Sequence, residues 1–344
     1  MAEAGRQAAA SASLEGEALQ REVVAIGASA GGVEALRQLA ASLPPELPAA
    51  VLVVLHVLPT GTSVLPHILG RAGPLPAGSA RHGERLERGR IYVAPPDHHL
   101  LLWDGRVQLT HGPRENGHRP SLDPLFRSAA RAYGERVIGI VLSGTLDDGT
   151  AGLRMIHEVG GATIAQDPEE ALYPGMPRSA IDNGAADHVV RMPEMADLIC
   201  MLIDTPIEPR PDPPDEPDAA LPGPSLDIAD TRAARWGEPS GLTCPECGGA
   251  LWEQQEGDLV RFRCHVGHAY SPESMQTEQA RALEAALWSA LRTLQERLVL
   301  AHGAAIARHL PGDRGPLRAE GGGRVTPRRG HPRDHRDARP RAVA

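Results

Sequence analysis

The stretch Val23–Glu34, VVAIGASAGGVE, decides the fold. A run of apolar, partly β-branched residues passes through small residues and opens directly into a helical pattern, VEALRQLAASL (Val33–Leu43), which predicts strand, tight turn and helix in succession. Working outward, AAVLVVLHV (Ala49–Val57), IYVAPP (Ile91–Pro96), VIGIVLSG (Val137–Gly144) and ATIAQDP (Ala162–Pro168) are further short apolar runs set between helical patterns. Strands of this continuous apolar kind belong to a parallel sheet covered on both faces. The expected fold is α/β, doubly wound and mostly parallel. Between Arg90 and Leu109 a WDG turn (Trp103–Gly105) joins two short runs and predicts a small antiparallel hairpin insert.

The α/β pattern begins near Arg21 and stops near Ile203, so residues 21–203 read as one domain behind a disordered N-terminus, 1–20. Residues 204–241 hold nine prolines and the acidic run PRPDPPDEPD and read as a linker, because such a composition buries too little apolar surface to order itself. A compact segment, 242–272, follows. Residues 273–310 form an amphipathic helical pattern with Leu283, Leu287, Leu291, Leu294 and Leu298 on one face, suited to packing on its own domain or to a dimer-forming or partner-binding seam. The tail, 311–344, is Gly-, Pro- and Arg-rich and reads as disordered, with nucleic-acid or membrane contact as the alternative.

Charge and composition exclude several classes of function. The chain of 344 residues carries a formal charge of -9, every basic residue is Arg, and Trp 4, Tyr 4 and Phe 2 are all its aromatics. An acidic body with so few rings argues against nucleic-acid binding as its task. No apolar run is long enough to span a bilayer, and the N-terminus lacks the apolar stretch of a secretory signal. A cytoplasmic protein without a transmembrane segment is expected. Four cysteines are too sparse for a disulfide scaffold, and Cys244, Cys247 and Cys264 cluster. Together with His265 and His268 they give a C-x₂-C knuckle and a second ligand pair, the pattern of a closed structural zinc ribbon. Cys244, Cys247, Cys264 and His268 are favoured as ligands because C-x₃-H lets both side chains turn to one ion; His265 stays open.

Within the deciding stretch, Gly27–Gly31 fits G-x-S-x-G, which displays a serine hydroxyl at the carboxyl end of a sheet beside a helix N-terminus. Ser29 is thus a nucleophile candidate. It could instead cap the helix, and the Gly-rich turn could hold a pyrophosphate, although the next strand ends in His56 rather than a ribose-binding acid. His56 reaches the same sheet edge and is a general-base candidate. A third strand delivers Thr145–Gly149, TLDDG, to that edge, where an aspartate can orient an imidazole or, as Asp148 taken alone, sit at a helix N-terminus.

Six blocks in order, IGASAGG (Ile26–Gly32), LHVLP (Leu55–Pro59), APPDHHL (Ala94–Leu100), HGPRENGHRPSLDPLF (His111–Phe126), IVLSGTLDDGTAG (Ile140–Gly152) and YPGMPRSAI (Tyr173–Ile181), make residues 21–203 resemble the catalytic domain of the CheB family of chemotaxis protein-glutamate methylesterases. The resemblance implies Ser29 as nucleophile, His56 as base and Asp148 as third member, with Thr145, Arg119 and Arg178 toward the substrate; for the two arginines a solvated surface charge is the alternative. Thr145 stands where the family carries Met, and Ala30 where it often carries Thr.

The implied activity is hydrolysis of glutamyl methyl esters of methyl-accepting chemotaxis receptors, with deamidation of receptor glutamines by the same path and no cofactor for catalysis. A non-catalytic signalling scaffold is the rival. The family's receiver domain has no counterpart in this sequence, so regulation is expected to come from elsewhere. The metal module is expected to recruit a partner, such as a methyltransferase, and to stay out of catalysis.

Overall fold

The computed structural model describes residues 19–207 and 237–309, with side chains to residue 302. Residues 1–18 of the expected disordered N-terminus, 208–236 of the Pro-rich linker and the whole Arg-rich tail lie outside the described residues. Strands β1 (Val23–Ala28), β2 (Ala50–Leu55), β3 (Ala77–Ser79), β4 (Ile91–Val93), β7 (Val137–Val141), β8 (Ala162–Gln166) and β9 (His188–Val190) form a seven-stranded sheet in the order β3-β4-β2-β1-β7-β8-β9. Every pairing in it is parallel. A separate antiparallel pair, β5 (His99–Trp103) and β6 (Arg106–Thr110), is the expected hairpin, turned at Asp104 and Gly105 with positive φ at both.

Alternation along β1 explains the two layers. Val24 and Ile26 face a core shared with α1 (Gly32–Ser42), α2 (Leu65–Ala72) and α6 (Met192–Asp204), while Val23 and Ala25 face a core shared with α3 (Leu122–Tyr133), α4 (Thr150–Glu158), α5 (Gly175–Asp182) and the hairpin. Both faces are apolar because both are covered. As the central strand, β1 pairs Ile26 with Val53 of β2 and with Ile140 of β7, so the residues just past the three strand ends meet at one edge.

The C-terminal part is a four-stranded antiparallel sheet, β10 (Glu238–Thr243), β11 (Ala250–Glu256), β12 (Leu259–Cys264) and β13 (Ala269–Tyr270), around Cys244, Leu251, Cys264, Tyr270 and Met275. Its first strand starts within the stretch read as linker. Helix α7 (Pro272–His309) follows. Two compact units divide at Leu287, so the sheet and the first turns of α7 belong with the α/β layers, and the second unit holds the rest of α7. The leucine face is exposed along the helix.

The small sheet packs on α3 through buried charges. Arg261 of β12 donates to Asp123 of α3 and lies 3.4 Å from Glu115, which also accepts from Arg127 of α3 at 2.7 Å. Burial alone pushes the Glu115 carboxyl up, but Arg127, Arg263 and Arg261 outweigh it and bring it down to about 2. Glu115→Gln would leave buried guanidinium groups unpaired, at a cost of about 3–5 kcal/mol. Because Glu115 is depressed from its ordinary 4.5, its stabilisation is complete above that value and lost as pH falls toward about 2. The thermal midpoint of E115Q should therefore lie well below wild type at neutral pH, and the gap should narrow in acid.

Candidate active site

Ser29 follows β1 directly and is tied to the next strand end by its N–H, which donates to Ser143 O at 2.9 Å. Helix α1 is capped by Gly31, not by Ser29, and no side chain caps it. Gly31 has φ 75, and a Cβ there would come within 2.7 Å of Ser143 Oγ and 2.9 Å of Leu172 Cβ. Only glycine fits this turn, and the hydroxyl of Ser29 is left for another partner.

That partner is His56, just beyond β2. Its Nδ1 lies 3.0 Å from Ser29 Oγ, and its Nε2 lies 2.7 Å from Asp148 Oδ2. The two nitrogens exchange the roles they hold in the chymotrypsin arrangement, where Nε2 faces the serine. With Asp148 ionised, the proton sits on Nε2 and the Nδ1 lone pair faces the hydroxyl. Asp148 also accepts from the Leu122 N–H at 2.8 Å, Ser121 Oγ at 2.8 Å and Asn116 Nδ2 at 2.8 Å. It therefore does sit at a helix N-terminus, but that of α3, while it also holds His56. Burial works to raise its carboxyl; the hydrogen bond and charge of His56, with the Leu122 N–H, hold it well below the usual carboxylate range. Such a line of hydroxyl, imidazole and buried carboxylate can draw the proton from Ser29 as its oxygen attacks a carbonyl.

Three residues that sequence reading did not single out complete the surroundings: Asn116, Ser121 and His118. The His118 ring stacks on His56 with centroids 3.7 Å apart and planes 11° from parallel. Burial, and then the neighbouring charge of His56, lower His118 to about 4, so it remains neutral beside His56 near neutral pH. His99 braces the same loop: its Nε2–H donates to Pro113 O at 2.9 Å, and its Nδ1 accepts from the Ser121 N–H at 3.3 Å. The block HGPRENGHRPSLDPLF contained the signal, in a buried-pattern Asn and His between turn residues.

The other expected site residues are spread out. Arg119 is committed to Asp97, which accepts from its Nε at 2.9 Å, and to Gly112 O at 2.6 Å. Thr145 is exposed two residues past Ser143, and Arg178 is exposed on α5, 3.8 Å from Glu169. The structure brings neither arginine into hydrogen-bond contact with Ser29, His56 or Asp148 among the described contacts.

In the C-terminal sheet, Cys244, Cys247, Cys264 and His268 bring one ligand atom each within 4.8 Å of one another. Three thiols and one imidazole on two tight turns are compatible with a structural metal. Gly248 N–H donates to Cys244 O at 2.9 Å in the first turn, and Gly267 N–H to Cys264 O at 2.8 Å in the second. His265 lies against Trp252, its ring 4.1 Å from that of the indole, and of the two histidines it is His268 that lies in the cluster.

Residues 24–199 match the CheB methylesterase family. Among curated relatives, protein-glutamate methylesterase/protein-glutamine glutaminase 2 of Anaeromyxobacter dehalogenans is 43% identical over 174 residues, 51% of this chain and 51% of that protein. The protein of the same name from Methanosarcina mazei is 40% identical over 191 residues, 53% and 52% of the two chains. The chain spans about half the length of the curated relatives it matches. The crystal structure of the Thermotoga maritima CheB methylesterase catalytic domain, 33% identical, superposes with a TM-score of 0.52 over 54% of this chain and 100% of that one. Among the described residues no helix is long and apolar enough to cross a membrane. The geometry predicts that Ser29 is the residue labelled by a serine-directed fluorophosphonate, and that Asp148→Asn, checked for fold by circular dichroism, slows labelling by about 10³–10⁴-fold.

Proposed function

The chain belongs to the CheB methylesterase family, and on that premise we propose that it hydrolyses the γ-methyl esters of glutamyl side chains in methyl-accepting chemotaxis receptors, with receptor glutamines as slower substrates. The observation that carries this reading is the alignment Ser29 Oγ, His56 Nδ1, His56 Nε2, Asp148 Oδ2, closed by distances of 3.0 and 2.7 Å. Ser29 Oγ attacks the γ-carbonyl while His56 Nδ1 takes its proton. The tetrahedral intermediate collapses as that proton passes to the departing methoxide, giving methanol and a glutamyl ester on Ser29. Water then attacks, giving up a proton to His56, and the carboxylic acid leaves as the proton returns to Ser29. Asp148 stays ionised and stabilises the imidazolium that forms twice in each turnover. The first turn of α1 starts three residues past Ser29 and offers its positive end to the developing oxyanion. In a glutamine, ammonia replaces methanol as the poorer leaving group.

In this reading Thr145, exposed two residues past Ser143, borders the ester, and Arg178 on α5 meets the acidic receptor surface. Arg119 acts through Asp97 by holding the loop from His111 to Arg119. The donor set of Cys244, Cys247, Cys264 and His268 fits zinc, which when bound would cross-link the knuckle after β10 to the turn before β13.

Methanol release from methylated receptor should fall by about 10⁴-fold or more in Ser29→Ala; equal release by both proteins would leave the scaffold reading standing. The intact chain is expected to hold a single zinc ion and Cys247→Ser to lose it, which elemental analysis and the charge-transfer bands of a cobalt-substituted sample would show.

A further inference from the structure

We infer that the metal-binding module is a positioning part of the active site, acting through the loop Glu115–His118, which it grips from one side while the loop holds Asp148 and His56 from the other. The inference rests on the assignment of Ser29, His56 and Asp148 made above, and it replaces the expectation that the module stays out of catalysis.

Asn116 is the joint. Its side-chain amide is used at both ends: Nδ2 donates to Asp148 Oδ1 at 2.8 Å and Asp123 Oδ2 at 3.0 Å, and Oδ1 accepts from the Ser271 N–H and the Ser274 hydroxyl, each at 3.1 Å. Its backbone N–H donates to Ala269 O at 2.8 Å. Asn116, Ser271 and Ser274 are buried, so the bonds on Oδ1 are not exchangeable for water without opening the interface. With Oδ1 committed to the module, the amide has one orientation, and that orientation aims Nδ2 at Asp148. Two residues on, His118 stacks against the His56 ring, so the same loop limits both the carboxylate and the imidazole it holds. Between them, Gly117 packs against the Glu278 side chain of α7.

The module also settles a charge problem. Asp123 and Asp148 both accept from Asn116 and are both buried. Two carboxylates this close oppose each other's ionisation, and Arg261, brought by β12, donates to Asp123. A metal enters this chain of contacts through the turn it would fix: Cys264 N–H donates to His268 O at 3.0 Å, and the next residues, Ala269 to Ser271, are those that grip Asn116. The module lies outside residues 24–199, so these contacts reach the site from beyond the matched domain.

The test uses the full chain in two altered forms: the double variant Ser271→Ala/Ser274→Ala, with metal content and thermal midpoint as controls, and the wild type stripped of metal by a chelator and then reloaded with zinc. Each is assayed for turnover of a small methyl ester and for the low-field proton resonance of the His56–Asp148 hydrogen bond. The expected result is a fall of about 10- to 100-fold in kcat with KM changed by no more than about twofold, a shifted or broadened low-field resonance in both forms, and recovery on reloading. Wild-type kcat together with an unchanged resonance in either form would overturn the inference. The esterase reading fails separately, by absence of Ser29-dependent turnover in the untreated wild type; the resonance would still report whether the module positions His56 and Asp148.

Discussion

A carboxylate removed from water costs several kcal/mol unless its charge is met by donors, and Asp148 is such a carboxylate at the point where four parts of the chain converge. His56 reaches it from the end of β2, the Leu122 N–H and Ser121 hydroxyl from the start of α3, and Asn116 from the loop before α3. Asp148 itself comes from the turn between β7 and α4. Each donor depends on the others' elements being in register, because a charge left short of donors at this depth would be more costly than the helix cap or the stacked ring that failed to form.

Helix α3 joins the α/β layers to the small C-terminal sheet. Its first residues face Asp148, and Asp123 and Arg127, within its first two turns, face the small C-terminal sheet, where Arg261 and Arg263 enter. The ion cluster of Glu115, Asp123, Arg127, Arg261 and Arg263 adds little net stability by itself, since desolvation offsets much of the attraction. Its geometry is restrictive, though, because a buried guanidinium tolerates few alternative placements. The small sheet is thus held in one orientation relative to the site, and the loop from Glu115 to His118 lies between them.

Much of this was legible in the chain. The strand–turn–helix at Val23–Glu34, the His closing β2 and the TLDDG turn after β7 belong to elements whose periodicity and end residues are local properties, and parallel strands bring their carboxyl ends to one edge without further information. The hairpin at Trp103–Gly105 and the knuckle at Cys244–Cys247 were equally local. Arg119 shows the boundary: its charge was visible, but its commitment to Asp97 depends on the fold of a loop that carries no periodic pattern. The leucine stripe of α7 shows it too, since helical spacing established the face and left its partner open.

By its own pattern of strands, small-residue turns and ligand spacings, the sequence determined the doubly wound sheet, the serine, histidine and aspartate at its edge, and the Cys/His cluster. Only the tertiary structure decided that His268 and not His265 joins the cluster, that Asp148 lies at the N-terminus of α3, that His118 stacks on His56, and that Asn116 links the site to the C-terminal sheet. The reason is range. Periodicity and turn chemistry act over a few residues, whereas Asp148 and Ser271, which Asn116 joins, lie 32 and 155 residues from it, and contacts at such separations are set by how whole layers pack.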